Sequence, residues 1–205
     1  IELFENFPET IDLGEEVVIT EKIHGTSSRT CLVRSDQEGA APFFLAGTHD
    51  SQVRQDVESF YLVPLRTESV QNLLMDIFDS TGARAVIIFG EIYGWVQSLR
   101  YGHGKGRVSF RAFDISIDGR MMNWDDFISH CEKHGVETVP VLYRGPFDPD
   151  VLIEMSGGDT TIGGDNIREG VVCHPVVERI SRYGHRAIVK RISDQYNLKA
   201  DRISD

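Results

Sequence analysis

The sequence predicts an α+β fold in which antiparallel β-sheets are flanked by helices, and three observations point there. Short β-branched runs recur along the whole chain. Near its end several of them follow one another without intervening helices. Helical spacing or capping marks only a few separate segments, so the regular alternation of a doubly wound α/β fold is missing.

Val17 to Glu21 and Ser28 to Val33 are β-branched runs separated by Lys22 to Ser27, which reads as strand, tight polar loop, strand. Phe43 to Ala46 is a further strand. Ser69 to Asp79 places Val70, Leu73, Leu74, Ile77 and Phe78 at helical spacing and stops near Gly82. Val86 to Tyr93 reads as a buried strand. Val108 to Ile117 is a long strand broken by Asp118-Gly119, a dipeptide suited to a hairpin turn, with Arg120 to Met122 returning. Asn123 can cap a helix to about His134, with Trp124, Phe127, Ile128 and Cys131 on one side. Val139 to Tyr143 is a strand, and Pro149 to Met155 a short helix with Asp and Pro at its start. The Gly-rich segment GGDTTIGGDN is a loop leading to Glu169. Val171 to His174, Val176 to Ser181 and Arg186 to Ile192 complete the strands.

At 205 residues, 40% of them hydrophobic and 26% charged, the chain has the size and composition of one globular domain, and no linker or internal repeat divides it. No apolar run is long enough to span a bilayer, so no membrane partner is expected. The three cysteines, Cys31, Cys131 and Cys173, are widely spaced and fit neither a zinc site nor a disulfide framework. A reducing, cytoplasmic compartment follows as the simplest expectation, and no targeting signal is visible. With 21 basic against 32 acidic residues the formal charge is −11. A polyanion would therefore have to meet a local basic patch.

Five short segments concentrate the groups that could do chemistry. Glu21-Lys22-Ile23-His24-Gly25-Thr26 places a lysine at the end of an apolar strand; taken alone, it reads equally well as a solvated surface lysine. Phe89-Gly90-Glu91-Ile92-Tyr93-Gly94 sets a carboxylate in an otherwise apolar strand. Phe110-Arg111-Ala112-Phe113-Asp114-Ile115 brings an aromatic into the strand before the hairpin. Glu169-Gly170-Val171-Val172 repeats the carboxylate beside glycine. Ala187-Ile188-Val189-Lys190-Arg191 supplies a second strand-borne lysine.

In this order the segments resemble motifs I, IIIa, III, IV and V of the covalent nucleotidyltransferases, the superfamily of ATP-dependent ligases and mRNA capping enzymes, whose fold is a nucleotidyltransferase (ATP-grasp-like ligase) domain. Histidine two residues after the lysine, and the run FGEIYGWVQSLRYG, are similar to RNA ligases of the Rnl2-like type and to nick-sealing RNA ligases of the Deinococcus kind. The likeness covers about Val17 to Leu198. It implies that residues 1–205 are an adenylyltransferase domain that seals 3′-OH/5′-phosphate nicks in RNA or an RNA-containing duplex. ATP and Mg²⁺ or Mn²⁺ would be the cofactors. An additional OB-type domain, which such ligases generally carry, finds no room in this stretch and is expected as a flanking segment. A GTP-using capping guanylyltransferase and a nucleotide-binding or RNA-binding module without catalysis are the alternatives.

The same resemblance implies roles for residues. Lys22 would be the nucleophile carrying AMP, with Glu21 and Ile23 beside it in the nucleotide site. Glu91 would take the ribose hydroxyls and Phe113 would stack on adenine; the plain reading of Phe113 is a core aromatic. Glu169 would orient the hydrated metal and Lys190 the phosphates. His24 could position the lysine loop, contact a nucleic-acid phosphate or be structural. Arg54 would contact ribose or polynucleotide, although Thr48 or His49 could occupy that position instead. Two departures stand out. Ser27 replaces the Arg or Asn common in such ligases, and Lys190 is flanked by Ile188 and Ile192 where a second lysine is usual, leaving Arg186, Arg191 or Lys199 to compensate. The stretch Gly102 to Arg107 lacks the spacing of a phosphate-binding loop and reads as a mobile basic loop.

Overall fold

The computed structural model describes residues 1–201, with side chains as far as Leu198. The chain packs as two compact units built from interleaved segments. The first comprises Ile1–His24, Leu99–His103 and the chain from Val139 onward; the second comprises Gly25–Ser98 and Gly104–Thr138. Because the chain passes repeatedly from one unit to the other, no linker composition marks the division.

The first unit is built on a five-stranded sheet. Its strands are β1 (Glu2–Leu3), β2 (Glu16–Lys22), β9 (Val141–Pro146), β10 (Gly170–Pro175) and β11 (Val189–Ile192), in the order β1-β11-β10-β2-β9. All pairs are antiparallel except β1 with β11. Val17 and Ile19 of β2, Val171 and Cys173 of β10 and Val189 of β11 form one buried cluster with Ile11, Phe147 and Leu152. Leu152 belongs to α4 (Pro149–Ser156), where Pro149 opens the first turn and the Asp148 carboxylate accepts from the Asp150 amide at 2.8 Å. A last helix, α5 (Asp194–Asp201), follows β11.

The second unit has a six-stranded antiparallel sheet. Its strands are β3 (Thr26–Val33), β4 (Phe43–Gly47), β5 (Gln52–Val53), β6 (Ala85–Gly94), β7 (Val108–Ile117) and β8 (Arg120–Met121), in the order β5-β4-β3-β6-β7-β8. Its core lies between the sheet face carrying Leu32, Val86, Ile88 and Ile115 and the helix α2 (Glu68–Thr81), whose Val70, Leu73, Leu74, Ile77 and Phe78 are buried at the expected spacing. Gly82 ends α2 in the left-handed conformation. The helix α3 (Trp124–His134) follows Asn123, which holds the N-cap position in an extended conformation. Asp118 (φ 49°) and Gly119 (φ 82°) make the β7–β8 hairpin turn, and the Asp118 carboxylate accepts from the amides of Arg84 and Ala85. A 3-10 turn at Phe60–Leu62 and the one-turn helix α1 (Val63–Arg66) complete the unit.

The α+β expectation matches these two sheets, but the strand expected over Val176 to Ser181 does not form. Arg179 is drawn to Glu15 by a two-pronged ion pair, and Arg186 to Glu178 by another, so the segment folds on side-chain charge. Only a single Ile180–Arg186 bridge survives, Val177 and Ile180 point largely to solvent, and the last strand begins at Val189 rather than Arg186. No helix among the described residues is long and apolar enough to cross a membrane.

Candidate functional site

In the first unit, strand alternation sorts the candidate residues onto two faces of one sheet. The register pairs Lys22 with Gly170 and Gly170 with Ile192, and in the next row Thr20 with Val172 and Val172 with Lys190. Lys22 and Lys190 therefore share a face, and it is not the face that carries the buried cluster. Two strand spacings and two residues separate their Cα atoms, about 12 Å. Both side chains are half-buried.

Lys22 Nζ donates to Glu169 Oε1 at 2.7 Å, and His24 Nδ1 lies 3.4 Å from Glu169 Oε2. Burial pushes the Glu169 carboxyl up, but the His24 hydrogen bond and the charge and hydrogen bond of Lys22 outweigh it and hold the group below its ordinary value. Glu169 is therefore an anion at neutral pH. Its neighbour Gly170 is there for close approach: a Cβ would lie 2.1 Å from the Arg191 carbonyl oxygen and 2.9 Å from Ile192 Cα. With glycine, β10 and β11 come together behind the carboxylate.

Two tyrosines that the motifs did not single out hold His24. The Tyr101 hydroxyl accepts from the His24 amide at 2.6 Å, and Tyr101 is buried with a positive φ of 51°. Tyr196, on α5, places its hydroxyl 3.4 Å from His24 Nδ1. Burial, and then the Glu169 charge, raise the Tyr196 hydroxyl's pKa. Tyr101 is the last residue but one of the FGEIYGWVQSLRYG run, which is the available signal; nothing in the composition of α5 marks Tyr196.

Glu21 departs from a simple nucleotide-site reading. Its side chain is turned to the opposite face, is fully buried, and accepts from the Thr160 hydroxyl and, at 2.8 and 2.7 Å, from the Thr161 amide and hydroxyl. Only its backbone remains on the Lys22 edge. Ile23 is buried. The residues suggested to replace a second lysine are occupied elsewhere: Arg186 pairs with Glu178, and Arg191 turns to Glu5 and Asp194. Ile192 itself shares the Lys22 row, and the side chain of Lys199 lies outside the described residues.

In the second unit, Glu91 on β6 is flanked in register by Ser27 of β3 and Arg111 of β7, on the face away from the helices. Arg111 donates to the Tyr93 hydroxyl at 3.1 Å and to the Thr138 carbonyl at 2.8 Å. Immediately beside this row the β6–β7 register shifts: Phe89 faces Asp114 and Gly90 faces Ala112, which leaves Phe113 as the extra residue of a β-bulge. Phe113 is half-buried and lies outside the buried core, contrary to the plain reading of a strand aromatic. Bulges commonly re-aim a side chain next to a functional site. Gly90 is again a close approach, since a Cβ there would meet the Phe110 ring at 2.3 Å and the Arg111 carbonyl at 2.5 Å.

Arg54 follows β5 on the surface and is paired with Asp56, with Nε to Oδ1 at 2.9 Å. Thr48 is spent on its own turn, accepting from the amides of Asp50 and Ser51, and His49 is exposed beside Asp50. Lys105 and Arg107 are exposed, while the Arg107 carbonyl accepts from the Trp95 amide.

No group of three or more His, Cys, Asp or Glu side chains among the described residues could cage an ion. Glu169 Oε2 is buried with His24 Nδ1 at 3.4 Å, and its remaining lone pair suits a water of a hydrated cation shared with phosphates.

The fold is shared with known proteins. The structure superposes on Naegleria gruberi RNA ligase: an apo lysine-to-alanine variant at TM-score 0.74 and 20% identity, covering 97% of this chain and 56% of that one. A second lysine-to-alanine variant with ATP and Mn gives 0.73 at 18%, covering 98% and 56%. A glutamate-to-alanine variant with AMP and Mn gives 0.72 at 18%, covering 97% and 56%. The chain thus spans little more than half the length of these relatives. No curated protein matches it. The sequence profile of the RNA ligase family matches residues 15–192, and the chain belongs to the RNA ligase family.

Proposed function

We propose that the chain is the adenylyltransferase part of an ATP-dependent RNA ligase, with Lys22 as nucleophile. The observation that carries this reading is the 2.7 Å pair of Lys22 with Glu169, half-shielded from water on a sheet face shared with Lys190. The Lys22 ammonium first gives one proton to water, and the resulting amine attacks the α-phosphorus of ATP; a P–N bond forms, the P–O bond to pyrophosphate breaks, and the nitrogen's second proton also passes to water. AMP then passes to a 5′-phosphate, and a 3′-hydroxyl attacks that phosphate and releases AMP. Glu169 keeps the amine on its rotamer, and Lys190 offers positive charge to the phosphates. His24 lies beside the far oxygen of Glu169, at 3.4 Å. Glu91 would accept from the ribose hydroxyls, with Phe113 against the base. A divalent cation, held through water by Glu169, would supply further neutralisation of phosphate charge. The ATP-bound and Mn-bound Naegleria ligases support the choice of ATP and a divalent ion.

Incubation with α-labelled ATP and Mg²⁺ or Mn²⁺ should leave label on the protein, and GTP should not substitute. Equal labelling of wild type and Lys22→Ala would remove the proposed nucleophile, and preference for GTP would favour capping chemistry. Ile192 in the Lys22 row, where a second lysine is usual, favours one other reading: a nucleotide-binding module that holds ATP without releasing pyrophosphate. Nick sealing on duplexes differing only in the sugar at the 3′-hydroxyl would test the RNA preference.

A further inference from the structure

Glu21 and Arg168 sit immediately before Lys22 and Glu169 in the sequence, and the two pairs occupy opposite faces of the same sheet edge. Lys22 meets Glu169 on one face. On the other, the fully buried Glu21 carboxylate has Arg168 Nε at 3.7 Å, and that nitrogen is itself buried with no hydrogen-bond partner. The rest of the Arg168 guanidinium donates to the carbonyls of Met155 at 2.6 Å, Gly157 at 2.9 Å and Asp159 at 3.0 Å.

The loop between them is closed by its own backbone, with the Thr160 amide donating to Asn166 and the Arg168 amide to Gly158, each at 2.9 Å. Thr160 and Thr161 then fasten it to Glu21 by three hydrogen bonds. A buried carboxyl group is strongly disfavoured unless its oxygens are satisfied, so the loop must remain in place for Glu21 to stay buried. The consequence for the other face follows from strand geometry. A strand whose residue 21 is locked cannot rotate or slide at residue 22, and a loop held through Arg168 cannot shift Glu169.

We propose that Glu21, Arg168 and the Thr160–Thr161 turn are a positioning set that fixes the Lys22–Glu169 pair from the opposite face of the sheet. The geometry is independent of nucleotide chemistry, whereas the catalytic consequence rests on Lys22 being the nucleophile. The set acts through Lys22 and touches no substrate.

The test measures how fast an amine-reactive acylating reagent modifies Lys22 relative to the exposed Lys105, by peptide mapping of the folded protein without ATP. Glu21→Gln should raise the Lys22 to Lys105 ratio about fivefold, the effect of losing roughly one hydrogen bond's restraint on the pair. Thr161→Val should raise it in the same direction, and Thr161→Ser, which keeps the hydroxyl, should restore the wild-type ratio. If Glu21→Gln does not fold, the Thr161 pair decides. An unchanged ratio in folded Glu21→Gln, or equal ratios for Thr161→Val and Thr161→Ser, would overturn the proposal. Adenylylation measured in parallel separates the two readings: a wild type that takes no label from ATP sinks the ligase reading, while the acylation ratio still decides the positioning set. Where label is taken, the variants should lose rate at saturating ATP and keep the wild-type half-saturation.

Discussion

Both units place a glutamate beside a glycine at which two strands come unusually close, yet they use the arrangement differently. In the first, Glu169 beside Gly170 is gathered into a charge cluster with Lys22 and His24, and its strand is anchored from behind by Glu21 and Arg168. In the second, Glu91 beside Gly90 stands in a row with Ser27 and Arg111, next to a bulge that releases Phe113 from the ladder. One surface fixes a lysine within hydrogen-bond distance of a carboxylate. The other offers an acceptor and an aromatic face, groups suited to sugar and base. On the proposed ligase reading, the first should govern the rate of adenylylation and the second the affinity for nucleotide.

That contrast breaks most visibly at Glu169. Glu169→Gln keeps the shape and removes the charge, and single-turnover adenylylation should fall by about 10²-fold or more at saturating ATP. A loss confined to ATP half-saturation would assign Glu169 to recognition and erase the distinction between the units. In the second unit, Phe113→Ala should weaken ATP binding by about tenfold, the scale of one base–aromatic stack, with Phe113→Tyr close to wild type. Titration calorimetry reads this directly; unchanged affinity for Phe113→Ala would return the ring to a structural role.

Gly170→Ala probes the framework under the first site. The added methyl meets backbone rather than a movable side chain, so β10 and β11 must part, and the stability lost should be about 2 kcal/mol. Chemical denaturation of the two proteins measures it, and a loss well under 1 kcal/mol would mean that the strands yield easily.

Much of this was legible in the sequence because the signals are local. The helix α2 follows from Val70, Leu73, Leu74, Ile77 and Phe78, the hairpin from Asp118-Gly119, and the carboxylate–glycine pairs from adjacency alone. What was not legible depends on register or on distant charge. The bulge at Phe113 exists only relative to β6. Val176 to Ser181 carries the β-branched residues of a strand, but Glu15, far away in sequence, captures Arg179 and denies it a ladder. Glu21 enters the nucleotide site only through the resemblance; strand alternation parts residues 21 and 22 but does not say which face is buried. Two units remained hidden for the same reason: their segments interleave, so their boundary has no composition of its own.

The smallest expected effect extends the comparison to pH. Glu169 is held below the ordinary glutamate value of 4.5, so its contribution to stability is complete above that value and is lost as pH falls through the depressed folded value. In the second unit Asp76 is depressed to about 2 by hydrogen bonds from Lys133 at 2.7 Å and His134 at 3.1 Å, which tie α2 to α3. Its sign is the same: the stabilisation is present above 3.8, the ordinary aspartate value, and disappears between there and about 2. Asp76 is solvated, however, and exposed pairs contribute little once water and salt screen them. Asp76→Asn should therefore lower the denaturation midpoint slightly at pH 7, less than Glu169→Gln does, and the difference from wild type should vanish near pH 2 and shrink with added salt. A larger and salt-insensitive shift for Asp76→Asn would mean that the α2–α3 contact, rather than the Lys22 cluster, carries the principal charge-dependent stabilisation of the chain.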